Sequence, residues 1–212
     1  RQVKQLEHLG VKLSRKTLSG WFKPVCELLK PLYMELKKEV LSSDYVQVDE
    51  TTLPVINHDK HKAAKEYIWM VRAAMPHLLF FHYDNGSRAQ KVAVELLKPF
   101  KGYLQCDGYS VYDIFEEKED VHLCACLAHV RRHIESGKEE NREYAMQGLK
   151  LIQDLYNVEH MADEQQLSYE ERAKLRQRLS KPVLDSFELW LENTYPKVLK
   201  RSLMGKAIAY AY

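Results

Sequence analysis

The chain has 212 residues, 45% of them hydrophobic and 29% charged, with a net charge of +2. That balance admits an ordinary globular core and excludes a disordered or collagen-like chain. Four cysteines in a chain this long make no disulfide framework and suggest a reducing compartment, and no apolar run approaches the ~18 residues of a membrane span.

In chain order, Val3 to Leu9 reads as a helix end with Gly10 at C′. Ser14 is placed to N-cap a short helix, Arg15 to Phe22, and the pair hints at a helix-turn-helix. Val25, Leu28, Leu29, Leu32, Leu36 and Val40 follow at helical spacing, and Pro31 predicts a kink or break among them. Residues 1–40 hold nine Lys/Arg against four Asp/Glu, so the remainder is mildly acidic. This basic lead fits either a nucleic-acid-facing element or a solvated helix face. Residues 1–43 are therefore expected to form a helical lead-in.

The centre is strand-rich. Strands are expected at Tyr45 to Val55, Glu66 to Ala74 and Leu78 to Tyr83. A polar turn at Asn57 to Lys65 and the Met75-Pro76-His77 break separate them. Asp84-Asn85-Gly86 is a turn, Ser87 a candidate N-cap, and Arg88 to Leu97 a helix. Next come a strand at Gly102 to Asp107, a short helix at Ser110 to Phe115, a strand at Val121 to Cys126 and a helix from Ala128. Residues 139–204 read as a helical insertion. In it, Ser168 and Glu171 form a capping-box pattern and Pro182 marks a new start. The chain opens on Arg1, and its last residues, 205–212, look like the start of a further helix, so a fragment of a longer protein is expected.

Two stretches nearly repeat each other, Tyr45-Val46-Gln47-Val48-Asp49 and Tyr103-Leu104-Gln105-Cys106-Asp107. Strict alternation makes each a half-buried strand with its apolar residues on one face and Tyr, Gln and Asp on the other. Were the two strands neighbours, two carboxylates would meet at one sheet edge. Carboxylate oxygens suit hard divalent cations, and two such ions about 4 Å apart support in-line phosphoryl displacement. A turn aspartate before Gly108 and a solvated strand-end Asp49 remain the plainer alternative. The order of elements is mixed α/β. It is similar to the ribonuclease-H-like topology, in which the first and fourth strands lie side by side, over residues 44–138.

A second constellation combines Cys124 and Cys126 on one strand face with His129 and His133, four apart on the next helix. A tetrahedral zinc site and buried strand cysteines beside a surface helix both fit this spacing. Arg131 and Arg132 suit phosphate or a solvated helix turn.

Five ordered segments carry a family resemblance. They are Val48-Asp49-Glu50-Thr51-Thr52-Leu53-Pro54-Val55, Tyr67-Ile68-Trp69-Met70-Val71-Arg72, Ser87-Arg88, Gly102-Tyr103-Leu104-Gln105-Cys106-Asp107-Gly108-Tyr109 and Cys126-Leu127-Ala128-His129-Val130-Arg131-Arg132. Together they resemble the central domain of bacterial transposases of the insertion-sequence-sixty-six family. The leading Leu13-Ser14-Arg15-Lys16-Thr17-Leu18-Ser19-Gly20-Trp21 resembles the segment ahead of that domain. The resemblance implies a DDE transposase on a ribonuclease-H-like mixed sheet flanked by helices, with a helical insertion after the last core strand. Asp49 and Asp107 match its first and second catalytic, metal-holding acids. Cys126 and His129 match a supporting Cys-x-x-His element, and Arg88, Arg131 and Arg132 match basic positions facing DNA. It further implies two Mg²⁺ or Mn²⁺ ions and a bacterial, nucleoid-associated setting. Its implied partners are double-stranded DNA at transposon ends and target, assembly as a homo-oligomer on that DNA, and accessory element-encoded proteins. The family's third acid follows the insertion. Glu188 and Glu192 lie too early for it, so it is expected beyond Tyr212. A nuclease or resolvase without joining activity, and a non-catalytic DNA-binding remnant, are the rival readings.

Overall fold

A computed structural model describes residues 2–57, 62–75 and 77–212. Residues 58–61 of the expected polar turn, and Pro76 of the expected strand break, lie outside the described residues. The chain divides into two compact units, Arg1–Cys124 and Ala125–Tyr212.

The first unit opens with helices α1 (Gln2–His8) and α2 (Arg15–Leu41). Gly10 adopts φ 80°, the left-handed conformation that ends α1. The Ser14 hydroxyl accepts from the Thr17 N–H and caps α2, as its sequence position predicts. Of the expected kink or break, the break does not occur. In place of a short helix and a separate successor, α2 runs 27 residues with both Pro24 and Pro31 inside it. Each proline removes one backbone hydrogen bond. Standing seven residues apart, the two occupy one exposed side, where the freed carbonyls face solvent. The last turns of α2 pack on the sheet: Tyr33 and Leu36 lie against its core, and Val40 is fully buried.

Five strands follow, β1 (Tyr45–Asn57), β2 (Lys62–Ala73), β3 (Leu79–His82), β4 (Gly102–Cys106) and β5 (Val121–Ala125). They form one sheet in the order β3-β2-β1-β4-β5. β1 pairs antiparallel with β2 and β2 with β3, whereas β1 pairs parallel with β4. The sheet is therefore mixed, and the first and fourth strands are neighbours, consistent with a ribonuclease-H-like fold. Helix α3 (Gln90–Leu96) begins two residues later than the sequence predicts, with Ala89 at its N-cap in place of Ser87. The Ser87 hydroxyl instead accepts from the Ala89 N–H, which closes a local turn before the helix. A 3-10 helix, Ser110–Glu117, links β4 to β5.

One core joins these elements. Val46 and Val48 of β1, Trp69 and Val71 of β2, Phe80 of β3 and Leu104 of β4 meet Val92 and Leu96 of α3 and Tyr112 and Phe115 of the 3-10 helix. Alternation along β1 and β4 dictates which residues remain: Gln47, Asp49, Gln105 and Asp107 stand on the opposite face.

The second unit is helical. It comprises α4 (Leu127–Ser136), α5 (Arg142–Glu164), α6 (Tyr169–Leu175), α7 (Lys181–Thr194) and α8 (Leu203–Ala211). Val130 and Ile134 of α4, Leu149 and Ile152 of α5, Phe187 and Leu191 of α7 and Ile208 of α8 share a core. The capping box forms as the sequence predicts: the Ser168 hydroxyl accepts from the Glu171 N–H and Glu171 accepts from the Ser168 N–H. Pro182 stands in the first turn of α7, the new start that the sequence predicts, and a π-helical segment, Arg176–Ser180, joins α6 to α7 ahead of it, where the regular α-helical ladder is already interrupted. Residues of the expected last helix belong to α8 and are packed by Met204, Ala207 and Ile208. Among the described residues, no helix is long and apolar enough to cross a membrane.

Candidate active site

The twin pentapeptides lie side by side in parallel. Tyr45 pairs with Tyr103, Val46 with Leu104 and Gln47 with Gln105, so each residue of the first copy faces its counterpart in the second. Continued two residues further, this register brings Asp49 level with Asp107. Carboxylate oxygens of the two lie within 4.8 Å of each other.

Polar side chains on that face lock the register. Tyr45 donates to Gln105 Oε1 at 2.9 Å and Gln47 Nε2 donates to the same oxygen at 2.5 Å. Arg72 Nη1, from β2, donates to Gln47 Oε1 at 2.9 Å. The shared glutamines of the repeat thus tie one strand to the other beneath the aspartates. Each aspartate is also held by a backbone amide: Glu50 N–H donates to Asp49 Oδ1 at 2.9 Å, and Tyr109 N–H to Asp107 Oδ1 at 3.0 Å.

Glu50 was not singled out by sequence reasoning. It alternates to the core face of β1, opposite Trp69, and its side chain has no exposed surface. The Tyr112 hydroxyl donates to Glu50 Oε1 at 3.0 Å, and Arg88 Nη2 stands 3.6 Å from Oε2. Among the described residues, neither Glu50 Oε2 nor Arg88 Nε finds a hydrogen-bond partner, although both are buried. Burial pushes the Glu50 carboxyl above its ordinary range. Tyr112 and Arg88 pull it down, and Asp107 and Asp49 push it up. The signal in the sequence was available: a glutamate at a core-facing position of an alternating strand demands a buried partner.

That partner is Arg88. Its guanidinium lies between two rings, 3.8 Å from the centroid of Tyr109 and 5.3 Å from that of Tyr67. About a third of its side chain remains exposed. Next to Asp107, Cys106 points into the core, and burial pushes its thiol up to about 12, which leaves it an inert apolar group.

Of the remaining sequence candidates, Cys124 stands on β5 in the first unit and the others lie in the second. Cys126 is the N-cap of α4, and His129, Arg131, Arg132 and His133 stand on that helix. His129 is half-buried, whereas Arg131, Arg132 and His133 are exposed. Arg131 pairs with Glu135 at 3.1 Å. His133 lies against Tyr210, ring centroids 4.1 Å apart. Within this unit, among the described residues, Cys126, His129 and His133 do not converge on a metal-holding group.

The fold and the site define an α/β protein whose mixed sheet presents a pair of carboxylates from adjacent parallel strands. The family model described as "Transposase IS66 family" matches residues 1–212. The chain belongs to that family. It is similar to the uncharacterized protein y4jD of Sinorhizobium fredii (strain NBRC 101917 / NGR234), 28% identical over 99% of this chain and 43% of the relative. It is also similar to the uncharacterized protein y4qI of the same strain, 30% identical over 95% of this chain and 40% of the relative. The chain thus spans less than half the length of these curated relatives.

Proposed function

We propose that the chain is the catalytic portion of a DDE-type transposase, which cleaves DNA at transposon ends and joins them to a target. The observation that carries this reading is the in-register pairing of the twin strands, with carboxylate oxygens of Asp49 and Asp107 within 4.8 Å. Two hard oxygen donors of like charge at that spacing fit a divalent cation, which relieves their mutual repulsion. Asp49 and Asp107 would hold Mg²⁺ or Mn²⁺, two ions in the complete site. A bound ion of this kind supplies Lewis acidity to the phosphate and lowers the pKa of water.

The chemistry has two displacements. Water oxygen attacks a phosphorus at the transposon end, the P–O3′ bond breaks, and the strand is left with a 3′-hydroxyl. That hydroxyl then attacks a target phosphorus, expelling the target's own 3′ oxygen and forming the new phosphodiester. No protein nucleophile takes part. The roles of the chain are to hold the two carboxylates in fixed geometry and to position DNA. The exposed Arg131 and Arg132 are assigned to DNA phosphates, so affinity falls steeply with salt. Arg88 turns its charge to Glu50, and only its exposed third is left for DNA. Cys126 and His129 are assigned a supporting role, on the resemblance.

The test uses the intact protein with a transposon-end duplex and a target plasmid. Covalently joined product is expected with Mg²⁺, lost with EDTA and restored by excess Mg²⁺. Cleaved ends that never join would replace this reading with a nuclease or resolvase. Absence of cleavage under all metal conditions would leave a non-catalytic DNA-binding module.

A further inference from the structure

Arg88 touches both carboxylate-bearing segments through parallel routes. Asp49 Oδ1 is held by the N–H of Glu50, and the side chain of Glu50 is Arg88's ion partner at 3.6 Å. Asp107 Oδ1 is held by the N–H of Tyr109, and the ring of Tyr109 lies 3.8 Å from the Arg88 guanidinium. The Tyr109 hydroxyl also donates to the Arg88 carbonyl at 3.4 Å. Each aspartate is therefore gripped by a residue whose side chain engages Arg88.

The segment that carries Arg88 is itself fixed. Trp69, fully buried opposite Glu50, donates its indole N–H to the Ser87 carbonyl at 3.0 Å. Glu50 has no exposed side-chain surface, and its Oε2 has no hydrogen bond among the described residues, so the nearby guanidinium compensates its charge. A buried carboxylate stripped of that partner is left uncompensated, and it takes up a proton or pulls its stretch of β1 toward water. Asp49 is the residue immediately before it on that strand.

We propose that Arg88 is a positioning residue which, through Glu50 and Tyr109, clamps Asp49 and Asp107 at the separation a divalent cation needs. The proposal rests on the reading of Asp49 and Asp107 as metal-holding acids. It makes Glu50 a strut and not a third ligand. Residues that orient metal ligands in this way commonly change metal affinity by roughly 10- to 100-fold when altered.

The test is Mn²⁺ binding to the 212-residue chain by water-proton relaxation, with circular dichroism to confirm folding. Arg88→Met is expected to weaken Mn²⁺ binding on the order of tenfold. The double variant Glu50→Gln/Arg88→Met, in which no buried charge is stranded, is expected to recover most of that loss. Arg88→Lys keeps the charge and the fold but lacks the planar group between the rings, and it is expected to fall between wild type and Arg88→Met. Wild-type affinity in Arg88→Lys and Arg88→Met overturns the clamp. So does a double variant no better than Arg88→Met, or a Glu50→Gln variant as damaged as Asp49→Asn, which would make Glu50 a ligand. The controls Asp49→Asn and Asp107→Asn separate the two layers. If they leave Mn²⁺ binding unchanged, the metal reading falls and the clamp with it. If they abolish binding while Arg88 variants do not matter, the clamp alone falls.

Discussion

At the scale of single residues, the site depends on groups that do no chemistry. Gln47 and Gln105 hold one strand to the other, and the backbone amides of Glu50 and Tyr109 each fix one carboxylate oxygen. Gly102 starts β4 at φ 117°, and a Cβ there would meet the Asp44 carbonyl oxygen at 2.4 Å. The close approach lets Tyr103 N–H donate to that same carbonyl, which begins the parallel pairing. Gly102→Ala is therefore expected to cost about 1–3 kcal/mol, read as a lowered urea midpoint. An unchanged midpoint would mean that β4 can enter the sheet by another path. These residues also show how far a sequence can be read. The Tyr-apolar-Gln-apolar-Asp repeat disclosed both aspartates and their faces, because alternation has a fixed period of two. The core-facing Glu50 was legible as a residue in need of a partner, but its pairing with Arg88 was not, because it spans 38 positions and no local pattern encodes which basic residue comes to it.

At the scale of elements, helix ends were the least legible feature. Ser14 and Ser168 cap as their positions predict, whereas Ser87 closes a turn and leaves α3 to begin later. Pro31 does not break α2 for a physical reason: a proline costs one hydrogen bond, and an otherwise strongly helical run absorbs that cost where the freed carbonyl faces solvent. In the second unit, α5 and the segment following it are joined by charge. Arg176 Nε and Nη2 each donate at 2.7 Å to the two oxygens of Glu159, and Arg172 Nη1 donates to Oε2 at 2.9 Å. Arg176 first, then Arg172, holds the Glu159 carboxyl below its ordinary value against the opposing effect of burial. A depressed carboxyl stabilises the fold above its unfolded pKa and loses that contribution as pH falls through the folded value. Glu159→Gln is accordingly expected to destabilise the chain by about 1 kcal/mol at pH 7. The gap to wild type should close as pH drops through and below the ordinary carboxylate range. Thermal unfolding at pH 7 and pH 3 checks this, and a gap that persists at pH 3 would exclude the ion pairs as its source.

At the scale of the whole molecule, the mixed α/β order and the adjacency of the first and fourth strands were legible from the succession of periodic segments. Helix α4, expected within residues 44–138, packs with α5 and α8 in the second unit, because Val130 and Ile134 find apolar partners there. The sheet unit brings together the two aspartates that the family resemblance singles out, and the account stands on their shared role. The most direct measurement is single-turnover cleavage of a transposon-end duplex by the intact protein in Mg²⁺, comparing wild type with Asp49→Asn and Asp107→Asn. The account predicts that each substitution lowers the cleavage rate by roughly a thousandfold or more while DNA binding is retained. Cleavage at the wild-type rate by either variant would contradict it.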